Sequence, residues 1–163
     1  MVDTVLPKHE NLVHRDDLLL HALDFADRRD LARPALQAVV EKCDFIQGTA
    51  VREFERRFAE LCGVRFGVGV SSGTSALSIA LEAMGVGPGD EVVTQANTFF
   101  ATAEAIRHCG ATPVFTDVDP LYLQMDPEGL EKAISPKTKA VVPVHMFGHP
   151  APMDAVLRIA EAR

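Results

Sequence analysis

Residues 91–118 read EVVTQANTFFATAEAIRHCGATPVFTDV, and this stretch decides the fold class. It predicts a short strand over 91–94, a helix over 102–109 that is ended by Gly110, and a second strand over 112–118. Parallel neighbouring strands need a crossover connection, which is usually a helix. The order strand, helix, strand therefore predicts a βαβ unit with parallel strands.

The same alternation extends to both sides of this unit. Upstream, the sequence predicts a helix over 31–43, a second helix that Thr49 caps and Gly63 ends, a strand over 64–70 and a helix over 75–84. Downstream, it predicts a helix over 127–134, a strand over 140–146 and a helix over 153–163. We therefore expect an α/β fold with a mostly parallel sheet flanked by helices. The last helix has no capping residue, so we expect the fold to be incomplete at the C-terminal side.

Composition excludes several classes of protein. The 163 residues are 47% hydrophobic and carry a net charge of −7, which disfavours a nucleic-acid partner. No apolar run reaches the length of a membrane span, and the N-terminus is too polar for a secretory signal, so we expect a cytoplasmic protein. Cys43, Cys62 and Cys109 form no CxxC pair, which disfavours a disulfide framework or a zinc site.

A small polar turn, Ser71-Ser72-Gly73-Thr74, joins the predicted strand over 64–70 to the helix over 75–84. The first turn of a helix leaves N–H groups unpaired at the positive end of its dipole, and a phosphate is their natural ligand. Gly73 would permit close approach, and the hydroxyls of Ser72 and Thr74 would add donors. The alternative is that Ser72 only caps the helix.

The same residues also allow a hydrolase interpretation. Residues 69–73 fit G-x-S-x-G, with Ser71 in the place of the nucleophile and Asp117 and His145 following in the order of a catalytic triad. The motif has few fixed positions, and no turn that could form an oxyanion hole is evident upstream. The glycines of residues 67–73 do not have the G-x-G-x-x-G spacing of a dinucleotide site.

Two features lie near predicted strand ends. Phe99 and Phe100 follow the strand over 91–94, at the sheet edge where α/β proteins bind ligands. They could be ordinary core residues, but their position makes at least one of them a candidate for stacking on a planar ring. His145 and His149 are four residues apart but flank Gly148 after a strand, so they share no helical face. We therefore predict no metal site.

Seven short blocks of sequence occur in an order that is characteristic of one family. They are FIQG (45–48), the helix with FE (54–55) that ends in CGV (62–64), SGTSAL (72–77), GPGDEV (87–92), NTFFAT (97–102), GATPVF (110–115) and VHMFG (144–148). This order resembles that of the DegT/DnrJ/EryC1/StrS aminotransferases over roughly residues 23–163.

The resemblance implies the large domain of a fold-type-I enzyme that depends on pyridoxal 5′-phosphate (PLP). Residues 23–163 would be the N-terminal part of that domain, and residues 1–22 a polar extension. Such enzymes are usually homodimers that transfer an amino group, typically from glutamate, to a keto sugar attached to a nucleotide. The positions that match Ser72, Gly73 and Thr74 hold the cofactor phosphate, and the aromatic residue that matches Phe99 stacks on the pyridine ring.

The resemblance assigns no catalytic residue to these 163 residues. The family's Schiff-base lysine, and the aspartate that pairs with the pyridinium nitrogen, match positions beyond residue 163. Lys132, Lys137 and Lys139 are expected to be solvated charges. We therefore expect that this chain alone does not transaminate. A non-catalytic remnant or partner subunit, a PLP-dependent sugar dehydratase and a serine hydrolase at Ser71 remain alternatives.

Overall fold

The structure is a computed structural model that describes residues 29–162, so the predicted extension over residues 1–22 lies outside the described part. The chain divides into two compact units, Met1–Gly69 and Val70–Arg163. Their described parts are called here the helical unit (residues 29–69) and the sheet unit (residues 70–162).

The helical unit contains α1 (Arg29–Glu41) and α2 (Thr49–Cys62). The predicted end of α2 is confirmed, because Gly63 adopts the left-handed conformation (φ 67°) that is common just past a helix end. The predicted N-cap is wrong: Gly48 occupies that position without a side-chain bond. The carboxylate of Asp44 instead accepts the N–H of Thr49 at 2.7 Å, and this bond lowers the pKa of Asp44.

The predicted strand over 64–70 is wrong, because these residues form no strand. Residues 64–69 contact α2 instead: the N–H of Gly69 donates to Glu55 Oε1 at 2.7 Å. A side chain at position 67 would place its Cβ 2.6 Å from the Glu55 carbonyl oxygen, so Gly67 permits this close approach. A β-branched segment becomes a strand only where a neighbouring strand pairs with its backbone, and the two glycines further weaken that tendency.

The sheet unit alternates helices and strands as predicted. Its elements are α3 (Gly73–Ala83), β1 (Glu91–Gln95), α4 (Phe100–His108), β2 (Thr112–Thr116), α5 (Pro127–Ala133), β3 (Thr138–Val142), a 3₁₀ turn (Met146–Gly148) and α6 (Met153–Glu161). The main difference is that β3 ends at Val142, four residues earlier than predicted, and the chain then turns at His145.

The three strands form a parallel sheet in the order β2-β1-β3. This confirms the predicted α/β class and the parallel pairing. Since all three strands are parallel, the loops that follow β1, β2 and β3 leave the sheet at one edge. Residues that follow these strands are therefore the candidates for ligand binding.

The core lies on both faces of β1. Side chains alternate across a strand, so Val92 and Val93 point to opposite faces, and each is 0% exposed. On one face, Val92 packs with Leu81, Val86, Ile106, Cys109 and Ala111. On the other, Val93 packs with Met125, Leu130 and Val156. Helices α3 and α4 thus cover one face of the sheet, and α5 and α6 cover the other.

All three cysteines are free thiols. Cys43 and Cys62 are exposed, whereas Cys109 lies in the core, where burial raises the pKa of its thiol. The thiol of Cys109 donates to the carbonyl oxygen of Ala105 at 3.3 Å. Its place in the structure is that of a small core residue.

Candidate functional site

The turn before α3 leaves two backbone donors without an acceptor in the described part of the chain. Ser72 is extended (φ −160°, ψ 166°), and its Oγ accepts the N–H of Ser75 at 3.1 Å, so its predicted capping role is confirmed. The N–H of Ala76 bonds to the carbonyl oxygen of Ser72 at 3.0 Å. Within the described residues, the N–H groups of Gly73 and Thr74 have no acceptor. These two groups are the ones that an anion at this helix terminus would engage.

Three serine hydroxyls meet beside these donors. Ser75 Oγ lies 3.0 Å from both Ser71 Oγ and Ser72 Oγ. A Cβ added at Gly73 would meet no heavy atom within 4 Å apart from its chain neighbours and the backbone of its own helix, so the space beside this residue is open. Hydroxyl and N–H donors beside open space at the positive end of a helix fit a phosphate group. Sequence reasoning missed Ser75, although a residue three positions after a capping serine is expected to contact it.

Phe99 lies on a different loop, between β1 and α4. It is the extended residue that precedes α4 (φ −65°, ψ 139°), and its side chain is 77% exposed. The loop is held by a hydroxyl contact of 2.8 Å between Thr98 and Thr102. Among residues 29–162, no hydrogen bond or ring contact joins Phe99 to the Ser72 turn. Phe99 thus presents an uncovered ring at the edge of the sheet where the strands end.

Two buried glutamines organise the same edge, and sequence reasoning missed both. Gln95, the last residue of β1, is 0% exposed; its Nε2 donates to Asn97 Oδ1 at 2.7 Å, and its Oε1 accepts the N–H of Val144 at 3.1 Å. Gln124 is 2% exposed and makes two hydrogen bonds to the backbone of Met146. Its Oε1 accepts the Met146 N–H and its Nε2 donates to the Met146 carbonyl, each at 3.2 Å. The loop after β3 is therefore fixed by side chains of two other segments.

The residues of the hydrolase interpretation do not assemble. In the described part of the chain, the hydrogen-bond partner of the Ser71 hydroxyl is Ser75, not a histidine. Nδ1 of His145 instead accepts the N–H of Ala151 at 3.0 Å. The carboxylate of Asp117 accepts the N–H of its neighbour Val118 at 2.8 Å. Among residues 29–162, Ser71 therefore contacts no base of the kind that a serine nucleophile needs.

The described residues contain neither a metal-binding cluster nor a membrane-spanning helix. His149 stacks on Tyr122 with ring centroids 5.9 Å apart, and no group of three or more His, Cys, Asp or Glu side chains in this part of the chain could hold a metal ion. None of the helices described here has the length and apolar character needed to cross a membrane.

Solved structures identify the class of protein to which this fold belongs. DesV of S. venezuelae, determined in complex with a ketimine intermediate, matches with a TM-score of 0.83 and 38% identity over 86% of this chain and 38% of that chain. NtdA of Bacillus subtilis, with bound pyridoxamine phosphate (PMP), matches with a TM-score of 0.76 and 34% identity over 82% of this chain and 32% of that chain. The fold is thus that of the PLP- and PMP-dependent aminotransferases, of which the sheet here is a part.

The chain belongs to the DegT/DnrJ/EryC1/StrS aminotransferase family, which matches residues 27–163. It is 46% identical over 145 residues to the UDP-N-acetyl-3-dehydro-alpha-D-glucosamine 3-aminotransferase of Acidithiobacillus ferrooxidans, covering 89% of this chain and 38% of that protein. It is 41% identical over 127 residues to the dTDP-3-amino-3,4,6-trideoxy-alpha-D-glucose transaminase of Streptomyces venezuelae, covering 78% of this chain and 34% of that protein.

These findings confirm the resemblance seen in the sequence and the relation to nucleotide-sugar aminotransferases. The chain spans little more than a third of the length of these two relatives.

Proposed function

We propose that this chain forms the cofactor-phosphate site of a PLP-dependent aminotransferase that acts on a nucleotide-linked sugar. The observation that carries the proposal is that the N–H groups of Gly73 and Thr74, beside the hydroxyls of the Ser72 turn, have no acceptor among residues 29–162. In this proposal the two N–H groups and the hydroxyls of Ser72 and Thr74 bind the phosphate.

Phe99 is the proposed stacking partner of the cofactor ring. Its support is the exposure of the side chain and its position directly after the central strand. Aromatic rings prefer offset-stacked contacts, and such a contact fixes the plane of a bound ring. PLP, when bound, supplies the electron sink of transamination, and this chain's part is to hold and orient it.

The proposed reaction partners follow from the relatives. The two described above are named for UDP- and dTDP-linked amino sugars, so the proposed substrates are a keto sugar on a nucleotide and an amino-acid donor such as glutamate. A homodimer and a cytoplasmic location remain predictions from the sequence. Residues 29–162 are assigned no catalytic side chain, and Lys132, Lys137 and Lys139 are exposed, as expected of solvated charges.

Replacement of Gly73 tests the phosphate site. Gly73→Asp places a carboxylate in the first turn of α3, where it favours the helix but repels a phosphate. We expect PLP to bind about 10- to 100-fold more weakly to this variant, because the carboxylate repels the phosphate and competes for N–H groups whose hydrogen bonds to a charged group contribute about 1.5–3 kcal/mol. Affinity for pyridoxal, which lacks the phosphate, should change little. Equilibrium dialysis of the full-length protein measures both.

Two controls separate charge from shape. Gly73→Asn has nearly the same shape without the charge and should retain most of the affinity. Gly87→Asp adds the same charge at a second glycine around which the space is also open. This substitution should leave PLP affinity unchanged. Equal affinities of the wild type and Gly73→Asp for PLP would refute the proposed phosphate site.

A further inference from the structure

His145 lies in the loop after β3, and buried side chains fix the residue on each side of it. The preceding residue, Val144, is fixed by the side chain of Gln95, and the following residue, Met146, by the side chain of Gln124. Burying an amide side chain is unfavourable unless its hydrogen bonds are made. Here the two buried amides use these bonds to fix the backbone on either side of one exposed histidine.

The ring of His145 is also fixed. Its Nδ1 accepts the N–H of Ala151 at 3.0 Å, and Ala151 is 4% exposed. A ring nitrogen that accepts a backbone N–H carries no proton, so the neutral ring carries its proton on Nε2. Within the described residues, Nε2 has no partner. His145 therefore offers one donor, and the tautomer is set by the Ala151 contact.

His145 lies on the same sheet edge as Phe99. Strands β1 and β3 are adjacent and parallel, so the loops that follow them leave at one edge. Gln95 links the two loops directly, since it ends β1 four residues before Phe99 and bonds to the residue before His145. Ligands of open parallel sheets bind outside the carboxyl ends of the strands.

We propose that His145 is a ligand-binding residue whose Nε2–H donates to an anionic oxygen of the bound cofactor or amino-acid donor, and that Gln95 and Gln124 are its positioning residues. This inference rests on the proposed function, because that function is what places PLP beside Phe99. The shared chemistry of the two possible ligands is a phenolate or carboxylate oxygen, which accepts a strong hydrogen bond.

Nuclear magnetic resonance of the full-length protein, labelled with ¹⁵N in its histidines, tests this directly. In the free protein we expect His145 to show an unprotonated Nδ1 and a protonated Nε2. Addition of PLP alone should move the Nε2–H proton downfield if the acceptor is a cofactor oxygen. If the acceptor belongs to the donor substrate, the shift should appear only after glutamate is added. The His149 ring should show neither shift.

Variants give a second readout in ligand affinity. His145→Phe removes the donor and should weaken binding of PLP or glutamate about tenfold, the effect of roughly 1.4 kcal/mol. His145→Gln keeps an amide donor and should restore most of the affinity. His149→Phe, four residues further on, is the matched control and should have no effect.

Two failures can be told apart. If PLP binds while the His145 signals and the affinity of His145→Phe stay unchanged, this inference is wrong and the proposed function stands. If PLP does not bind to the full-length protein, both are wrong. A protonated Nδ1 in the free protein would also refute the inference, because the Ala151 contact could not then exist.

Discussion

The helical unit and the sheet unit differ in how their apolar side chains are covered. In the sheet unit, Ile106 and Leu130 are 0% exposed, whereas in α2 of the helical unit Phe54 is 60% and Leu61 81% exposed. Ala59 is the buried apolar residue among those described in the helical unit. Helical periodicity therefore marks an apolar face in both units, but it does not say whether the same unit covers that face.

The largest expected difference between the units is in the cost of removing an apolar side chain. Ile106→Ala should lower the free energy of unfolding by about 2–5 kcal/mol, because it opens a cavity in the core. Leu61→Ala should change it by about 0.5 kcal/mol or less, as is usual for exposed sites. Urea unfolding of the full-length protein measures both. A cost above about 1 kcal/mol for Leu61→Ala would mean that the apolar face of α2 is covered in the full-length protein.

A second comparison uses one glutamine from each unit. Gln124→Leu leaves the N–H and carbonyl of Met146 without their partner, so it should cost about 1–3 kcal/mol. In α1, Gln37 makes an exposed bond of 2.7 Å to Glu41, and Gln37→Leu should cost about 0.5 kcal/mol or less. Equal costs in urea unfolding would show that the buried network does not stabilise the sheet edge.

Substitutions at the starts of α3 and α2 should have a smaller effect on stability. Ser72→Ala removes the side chain that accepts the Ser75 N–H, and should cost about 1 kcal/mol. Thr49→Ala, at the start of α2, should cost less, because Asp44 rather than Thr49 supplies the side-chain acceptor there. Thermal unfolding of both variants measures the difference. The reverse order of costs would contradict the assigned caps.

The smallest expected effect is a change of stability at acidic pH. Hydrogen bonds from Arg56 and then Arg57 lower the pKa of Glu53 from 4.5 to about 2. Because its pKa is lower in the folded state, Glu53 stabilises the folded protein at pH values above its ordinary pKa of 4.5. This contribution is lost as the pH falls towards about 2. The stability difference between the wild type and Glu53→Gln should therefore shrink over this range and in high salt, since these charges are exposed. A difference independent of both pH and salt would exclude the ion pairs as its cause.

Local sequence signals predicted much of the sheet unit and the end of α2 in the helical unit. The alternation around residues 91–118 predicted the parallel βαβ unit, and the left-handed Gly63 and the capping Ser72 were predicted from their neighbours. These features depend on contacts within a few residues, or on a period that the sequence displays. The placement of Ser72, Gly73 and Thr74 in one turn follows for the same reason.

Features that depend on distant segments were missed. The segment over 64–70 has the composition of a strand, but a strand also needs a partner, and this segment contacts Glu55 instead. Gln95 bonds to a residue 49 positions away, and Gln124 to one 22 positions away. In the sequence, Gln95 was a polar residue at a strand end and Gln124 a polar residue in the segment before α5. Only the folded sheet shows that both are buried.

The N–H groups of Gly73 and Thr74 are proposed to bind the phosphate of PLP. Amide signals of the full-length protein, recorded with PLP and with pyridoxal, test it most directly. We predict that the amide protons of Gly73 and Thr74 move downfield with PLP and much less with pyridoxal. The amide of Asp154, in the first turn of α6, should stay in place with both. Bound PLP that leaves the Gly73 and Thr74 signals unmoved would contradict the claim.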